Sequence, residues 1–194
     1  MKKGTVVLLS VLAAVVLLVV GVVGWGISTN NKFVELETAV DKADSQIQVV
    51  LKRRADLIPN LVNTVKGYAQ HEEDIYTALA DARAKMTGAG ATTEEMMEGN
   101  AELSSALSRL MVVVENYPEL KANENFIGLQ DELAGAENRI SRAREEYNRA
   151  VESFNTAIRK FPANIIAGMQ GYEKRPFFEA SEADMSNPQV DFSK

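Results

Sequence analysis

Residues 5–27, TVVLLSVLAAVVLLVVGVVGWGI, contain no charged side chain, and only Thr5 and Ser10 carry hydroxyls. This stretch constrains the chain more than any other feature. At about 1.5 Å rise per residue it makes a helix roughly 35 Å long, enough to cross a hydrocarbon core of about 30 Å with some tilt. Lys2 and Lys3 precede the run, and Trp25 sits near its far end, where an interfacial ring belongs. The apolar core of a cleaved secretory signal is shorter, about 7–15 residues, and ends in a small-residue cleavage site. Gly24-Trp25-Gly26 fits that site poorly because of the large Trp. The run therefore reads as an uncleaved anchor over residues 1–27.

Orientation follows from the flanks. Lys2, Lys3 and the amino terminus stand on one side. On the other, Ser28-Thr29-Asn30-Asn31 is neutral, and Lys32 is soon offset by Glu35 and Glu37. Cytoplasmic loops carry the excess of Lys and Arg, so the expected topology has a cytoplasmic N-terminus and the large domain outside. Residues 28–194 keep 19 of the 21 Lys+Arg and all 27 Asp+Glu, a net −8. So acidic a body disfavours nucleic acid and does not lie flat on anionic lipid.

Beyond the anchor the pattern is helical. Phe33, Leu36, Val40, Ala43, Ile47, Val50, Arg54 and Leu57 are spaced 3-4-3-4, a heptad seam, with no Gly or Pro from 28 to 58. Pro59 follows, and a second seam runs Leu61, Val65, Tyr68, Glu72, Ile75, Leu79, Ala82, Met86. The stripe is expected to change phase at Pro59, through a kink rather than a corner, since no turn residues accompany the Pro. Residues 87–92 form a loop, where Thr92 and Glu95 fit a capping box. A third seam, Leu103 to Tyr117, ends at Asn116-Tyr117-Pro118, with Pro118 in the first turn of the next element. The strongest seam runs from Phe126 through Leu133, Ile140, Tyr147 and Phe154 to Phe161, and Pro162 closes it. No stretch alternates with period two for long enough to form a strand. The expected fold is all-α: a transmembrane helix continuing into an antiparallel bundle of three to four long helices over 28–161. The tail, 162–194, carries Ile165-Ile166, Tyr172, Phe177-Phe178 and Phe192. It is too apolar for a free disordered segment and is expected to fold back on the bundle.

Chemistry is scarce. There is no Cys, which removes disulfides, thiolate metal sites and cysteine nucleophiles. His71 is the one His, and His71-Glu72-Glu73-Asp74 lacks the second His of a metalloprotease helix. No phosphate loop, dinucleotide fingerprint or nucleophile elbow is present. No cofactor or metal is expected. The unusual segment is 51–72, LKRRADLIPNLVNTVKGYAQHE. Arg53, Asp56, Asn60 and Asn63 share one polar helical face. Arg54 falls in the apolar seam, where it needs a carboxylate, and residues 137–152 offer several. The segment reads either as an interhelical ion pair or as a partner contact, and Phe177 and Phe178 are a second candidate contact.

That segment, the stretch LSRLMVVVENYPELKANENFIGLQDELAGAENRISRAREEYNRAVESFNTAIRKFP (107–162) and the NIIAG…PFFE tail resemble the LemA family of bacterial membrane proteins. The resemblance implies a single N-terminal membrane helix, an all-helical bundle, residence in the bacterial cytoplasmic membrane and no established catalytic activity or active site. A magnetosome protein with a part in membrane shaping is similar to this family, and members' genes often stand beside a membrane metalloprotease. The resulting expectation is a membrane-anchored, non-catalytic scaffold or adaptor of the envelope. Its expected partners are the bilayer, a second copy of itself, and another membrane protein such as a membrane metalloprotease. The competing reading is an enzyme or small-ligand binder using Arg54, Asn60 and Glu72 inside the bundle.

Overall fold

A computed structural model of the protein describes residues 3–179, with the side chains of Lys3 and Thr5 excepted. Six helices and no strand occur among the described residues: α1 (Lys3–Lys66), α2 (Glu73–Thr87), α3 (Thr93–Val114), α4 (Pro118–Lys121), α5 (Glu124–Arg159) and α6 (Ala163–Gln170). The fold is all-α, with a long apolar N-terminal helix. The chain divides into two compact units, one of residues 42–146 and the other of residues 3–41 with 147–179. Helices α1 and α5 contribute to both.

In the 42–146 unit the core is built from Ile47, Leu51 and Leu61 of α1, Leu79 and Met86 of α2, Leu103 and Leu110 of α3, and Phe126 and Ile140 of α5. Each fully buried side chain of this size contributes about 1.5–3 kcal/mol relative to exposure. Helices α2 and α3 pack on each other as a hairpin. Gly99 makes this possible, because a Cβ there would stand 2.9 Å from Met86 Cγ and 3.0 Å from the Ala82 carbonyl oxygen. Helix α3 starts at the capping box expected from the sequence: the Glu95 N–H donates to Thr92 Oγ1 at 3.2 Å, and the Thr92 N–H donates to Glu95 Oε2 at 2.8 Å. Donation from the Thr92 N–H and, at 3.1 Å, from the Thr92 hydroxyl holds the Glu95 carboxyl below its usual range. Pro118 opens α4 as its first residue.

Two expectations need correction. The 61–86 seam is not one helix. Helix α1 stops at Lys66, the Tyr68 and Ala69 N–H groups both close on the Val65 carbonyl, and a turn precedes Glu73. Tyr68 and Glu72 thus stand on the turn, which is held in part by the Tyr76 hydroxyl donating to the Ala69 carbonyl at 2.5 Å. A period of 3.5 spans such a turn by coincidence of spacing, because heptad positions recur whether or not the backbone between them is helical. Pro59 lies inside α1, so no corner forms there, as expected. The stripe shifts earlier than Pro59: Leu51 and Ala55 join Val50 and Arg54 in the core, and the line continues through Ile58 and Leu61. Facing both α2–α3 and α5 requires a wider apolar arc than a two-helix seam.

The second unit holds the apolar end of α1, the C-terminal part of α5, α6 and a strap without regular secondary structure from Tyr172 onward. Its core is Phe33, Val40, Val151, Phe154, Ile158 and Ala167. Tyr172 lies edge-on to Phe33 and Phe154, with ring centroids 5.3 and 6.0 Å away. Helix α6 was not expected in the tail. It follows Pro162 directly and ends at Gly171, whose φ of +75° suits a residue without Cβ. In the apolar N-terminal part of α1, Val6 to Val23 are exposed at every described position, and an 18-residue window there has mean hydropathy 3.3. Phe192 lies outside the described residues.

Candidate functional site

The residues singled out in the sequence fall into three places. The first is the interior of the 42–146 unit. Arg54, on α1, is 5% exposed. Its Nη1 contacts Asn100 Oδ1 on α3 and Glu137 Oε2 on α5, and donates to Ser104 Oγ at 3.1 Å. Ser104 Oγ in turn donates to the Asn100 carbonyl at 3.0 Å. Burial lowers the guanidinium pKa, while the Glu137 carboxylate, by charge and hydrogen bond, acts in the opposite direction. Arginine keeps its proton at any physiological pH regardless, so the charge must be matched on the spot. Glu137 is 47% exposed at its side chain, so one end of the pair remains hydrated. The cluster joins α1, α3 and α5. Asn60 is exposed and Glu72 stands at the turn before α2, so Arg54, Asn60 and Glu72 do not converge on one site.

A third seam that begins at Leu103 does not reach Asn100. Extended backwards by 3-4 steps, the same seam passes through Asn100 and Met96, both buried. A polar side chain at a seam position, opposite an arginine at another, was the available signal. A second polar set follows the same logic: Gln48 Nε2 donates to Thr93 Oγ1 at 2.7 Å, and Thr93 Oγ1 donates to Asp44 Oδ2 at 2.9 Å, tying α1 to the start of α3.

The second place is the outer face of α1. Arg53, Asp56, Asn60 and Asn63 are all exposed on it. Asn63 also borders an open groove of about 290 Å³ formed with Pro59, Lys66, Tyr76 and Arg83. Lys66 Nζ sits 5.1 Å from the centroid of the Tyr76 ring. The Tyr76 phenol has its pKa raised by burial and then by the Glu72 charge, which keeps it a donor. His71 is exposed, and among the described residues no three His, Asp or Glu side chains are grouped as metal ligands would be.

The third place is the strap of the other unit. Asn155 Nδ2 donates to the Arg175 carbonyl at 2.8 Å, and the Arg175 N–H donates to Asn155 Oδ1 at 2.9 Å. Asn148 repeats the arrangement with Phe178, at 2.9 Å in both directions. Each amide side chain thus pairs with one strap residue as a neighbouring strand would. The Arg175 guanidinium donates to Glu37 Oε1 at 3.0 Å. Phe178 packs on Tyr147 with centroids 4.7 Å apart, whereas Phe177 is 50% exposed. The tandem candidate Phe177-Phe178 is therefore divided: one ring secures the strap and the other faces out. Asn148 and Asn155 were not anticipated. They stand seven apart on α5 beside the seam residues Tyr147 and Phe154, and that equal offset was the visible signal. Of the membrane-interface candidates, Trp25 lines an open groove with Lys32 and Lys160, Lys3 is described only as part of α1, and Lys2 lies outside the described residues.

The sequence model of the LemA family matches residues 43–192. Over 188 aligned residues the chain is 28% identical to the magnetosome protein MamQ 2 of Paramagnetospirillum magneticum, covering 82% of this chain and 69% of that protein. The MamQ protein of Magnetospirillum gryphiswaldense is 26% identical over the same shares. Protein LemA of Metamycoplasma hominis is 24% identical over 108 residues, 56% of this chain and 49% of that protein.

Proposed function

The chain belongs to the LemA family, and on that premise we propose that it is a membrane-anchored, non-catalytic helical scaffold of the bacterial cytoplasmic membrane. It holds its bundle outside the cell, with its N-terminus in the cytoplasm, and associates with itself or with another membrane protein. A membrane metalloprotease is one such partner. Membrane shaping by many copies is the form this role would take if it parallels the magnetosome relatives.

One observation carries the reading. Helix α1 exposes a charge-free apolar run, Val6 to Val23, and continues as one helix into a bundle whose single charged core residue among those described, Arg54, meets Asn100, Ser104 and Glu137 through Nη1. The apolar run needs hydrocarbon around it. The interior polar cluster ties helices together, and the reading places function on the outer surface. Arg53, Asp56, Asn60 and Asn63 are the exposed residues proposed for partner contact. The competing ligand-binding set is not favoured, because its three members stand apart.

Purification of the full-length chain from native membranes in mild detergent, with sizing and mass spectrometry, tests this. A homo-oligomer or a second membrane protein at near-stoichiometric yield is expected. A bare monomer that retains nothing would overturn the proposal.

A further inference from the structure

Twelve residues, Phe161–Tyr172, contain no charged side chain, in a chain that is 25% charged. They cover the junction after α5, the whole of α6 and the start of the strap. Such a stretch in a soluble domain is ordinarily buried. Here Phe161 is 81%, Met169 78% and Ile165 54% exposed, while Ala167 is buried. Ile165 and Met169 are four apart and therefore share one face of α6. On another face, Ile166 Cδ1 lies 3.6 Å from the position a Cβ on Gly26 would occupy. Gly26 belongs to the charge-free run of the anchor. Helix α6 is thus packed directly against the terminal turn of the anchor, with Ile165 and Met169 uncovered. An uncharged helix apolar on more than one face is a buried or membrane-associated element.

The surroundings match a bilayer boundary. Trp25, Lys32, Lys160 and Pro162 border an open groove of about 840 Å³ beside this corner, together with the hydroxyls of Ser28 and Thr156. Arg159 and Lys160 precede the charge-free stretch, and Glu173, Lys174 and Arg175 follow it. Trp and Lys side chains at this level are those found where hydrocarbon meets headgroups.

We infer that α6 with Phe161 is a second membrane element: a short helix seated in the headgroup–acyl boundary beside the anchor, with Phe161, Ile165 and Met169 entering the acyl region. The inference rests on the membrane-anchored reading above. The occupant is the phospholipid bilayer itself, argued from the contact between Ile166 and the anchor and from the exposed apolar side chains on either side of it, Val23 and Ile27 of α1 and Ile165 and Met169 of α6. The contact would give the outer part of the anchor a lateral footprint on the membrane that a single span lacks. It also makes the tail residues before the strap part of the membrane contact.

The absence of Cys makes the test clean, since each labelled chain carries one thiol. Full-length chains with Ile165→Cys, Met169→Cys, Leu12→Cys or Val112→Cys are labelled with an environment-sensitive fluorophore. They are then reconstituted in phosphatidylcholine–phosphatidylglycerol vesicles containing a lipid spin-labelled high on its acyl chain. Leu12 reports the anchor, and Val112, 71% exposed on α3, reports water. Labels at 165 and 169 are expected to shift to the blue and to be quenched several-fold more than at 112. If 12 is lipid-embedded while 165 and 169 behave like 112, the second element is refuted and the anchor stands. If 12 also behaves like 112, the anchored reading fails and this inference with it. If 165 and 169 are shielded from water yet unquenched by the lipid, a protein covers them, and the lipid assignment is wrong.

Discussion

Two arginines show how differently the two units are held. Arg54 sits inside the 42–146 unit, in contact with Asn100, Ser104 and Glu137 from two other helices. Arg175 sits on the strap of the other unit, with its guanidinium 40% exposed toward Glu37 and its backbone clasped by Asn155. In the first case the side chain is the connection, and its charge has no other outlet. In the second the side chain is an accessory, because the amide clamp already fixes the backbone. A helix needs no help with its backbone hydrogen bonds, so a side chain can be spent on register. A strap without secondary structure has backbone groups to satisfy, and α5 satisfies them with two asparagines.

This contrast can be broken at several points. Arg54→Ala has the largest expected effect, a loss of about 3 kcal/mol, the low end for breaking a buried pair because Glu137 retains water on one side. Chemical denaturation of a soluble form lacking the anchor reads it, and Arg54→Met should recover part of the loss by filling the space. Asn155→Ala comes next, at about 2 kcal/mol, since it strips partners from both backbone groups of Arg175. Hydrogen exchange should rise at the strap and stay unchanged at Ile47 and Leu103. Thr92→Ala removes a cap and should cost about 1 kcal/mol, read as a lower thermal midpoint. Glu37→Gln is the smallest, about 0.5 kcal/mol or less, because an exposed ion pair is screened. An effect of Glu37→Gln as large as that of Asn155→Ala would reverse the roles assigned to side chain and backbone.

A pH prediction attaches to the same cap. The Glu95 carboxyl titrates lower in the folded protein than in the unfolded chain. Its contribution is therefore present above the unfolded carboxylate range and is lost as pH falls through the folded value. Acidification from neutral should fray the start of α3, visible as lower amide protection factors at Thr92–Glu95 once the intrinsic exchange rate is divided out, and Glu95→Gln should abolish that pH dependence.

Much of the architecture could be read from spacing. The anchor, the capping box at Thr92, the helix from Glu124 to Arg159 and the need of Arg54 for an acidic partner all follow from side-chain periodicity and charge. The turn between Lys66 and Glu73 could not, since Tyr68 and Glu72 keep heptad spacing while the backbone reverses. Helix α6 was hidden by length: eight residues with two glycines nearby carry too little periodicity to stand out from a loop. The partners of Arg54 on α3 and those of the strap on α5 are contacts between residues far apart in the chain. Sequence offers only the polar intruder at a seam position as a hint of them.

The proposed role places function on the outer face of α1 and leaves Arg54 to hold the bundle. In-membrane photocrosslinking of the full-length chain, with the photoreactive residue at Asn60 and in a second chain at Arg53, tests that most directly. Discrete adducts from both positions, to a second copy or to one membrane protein, are the predicted result. A chain that forms no adduct from either position, while remaining folded and membrane-inserted, would contradict it.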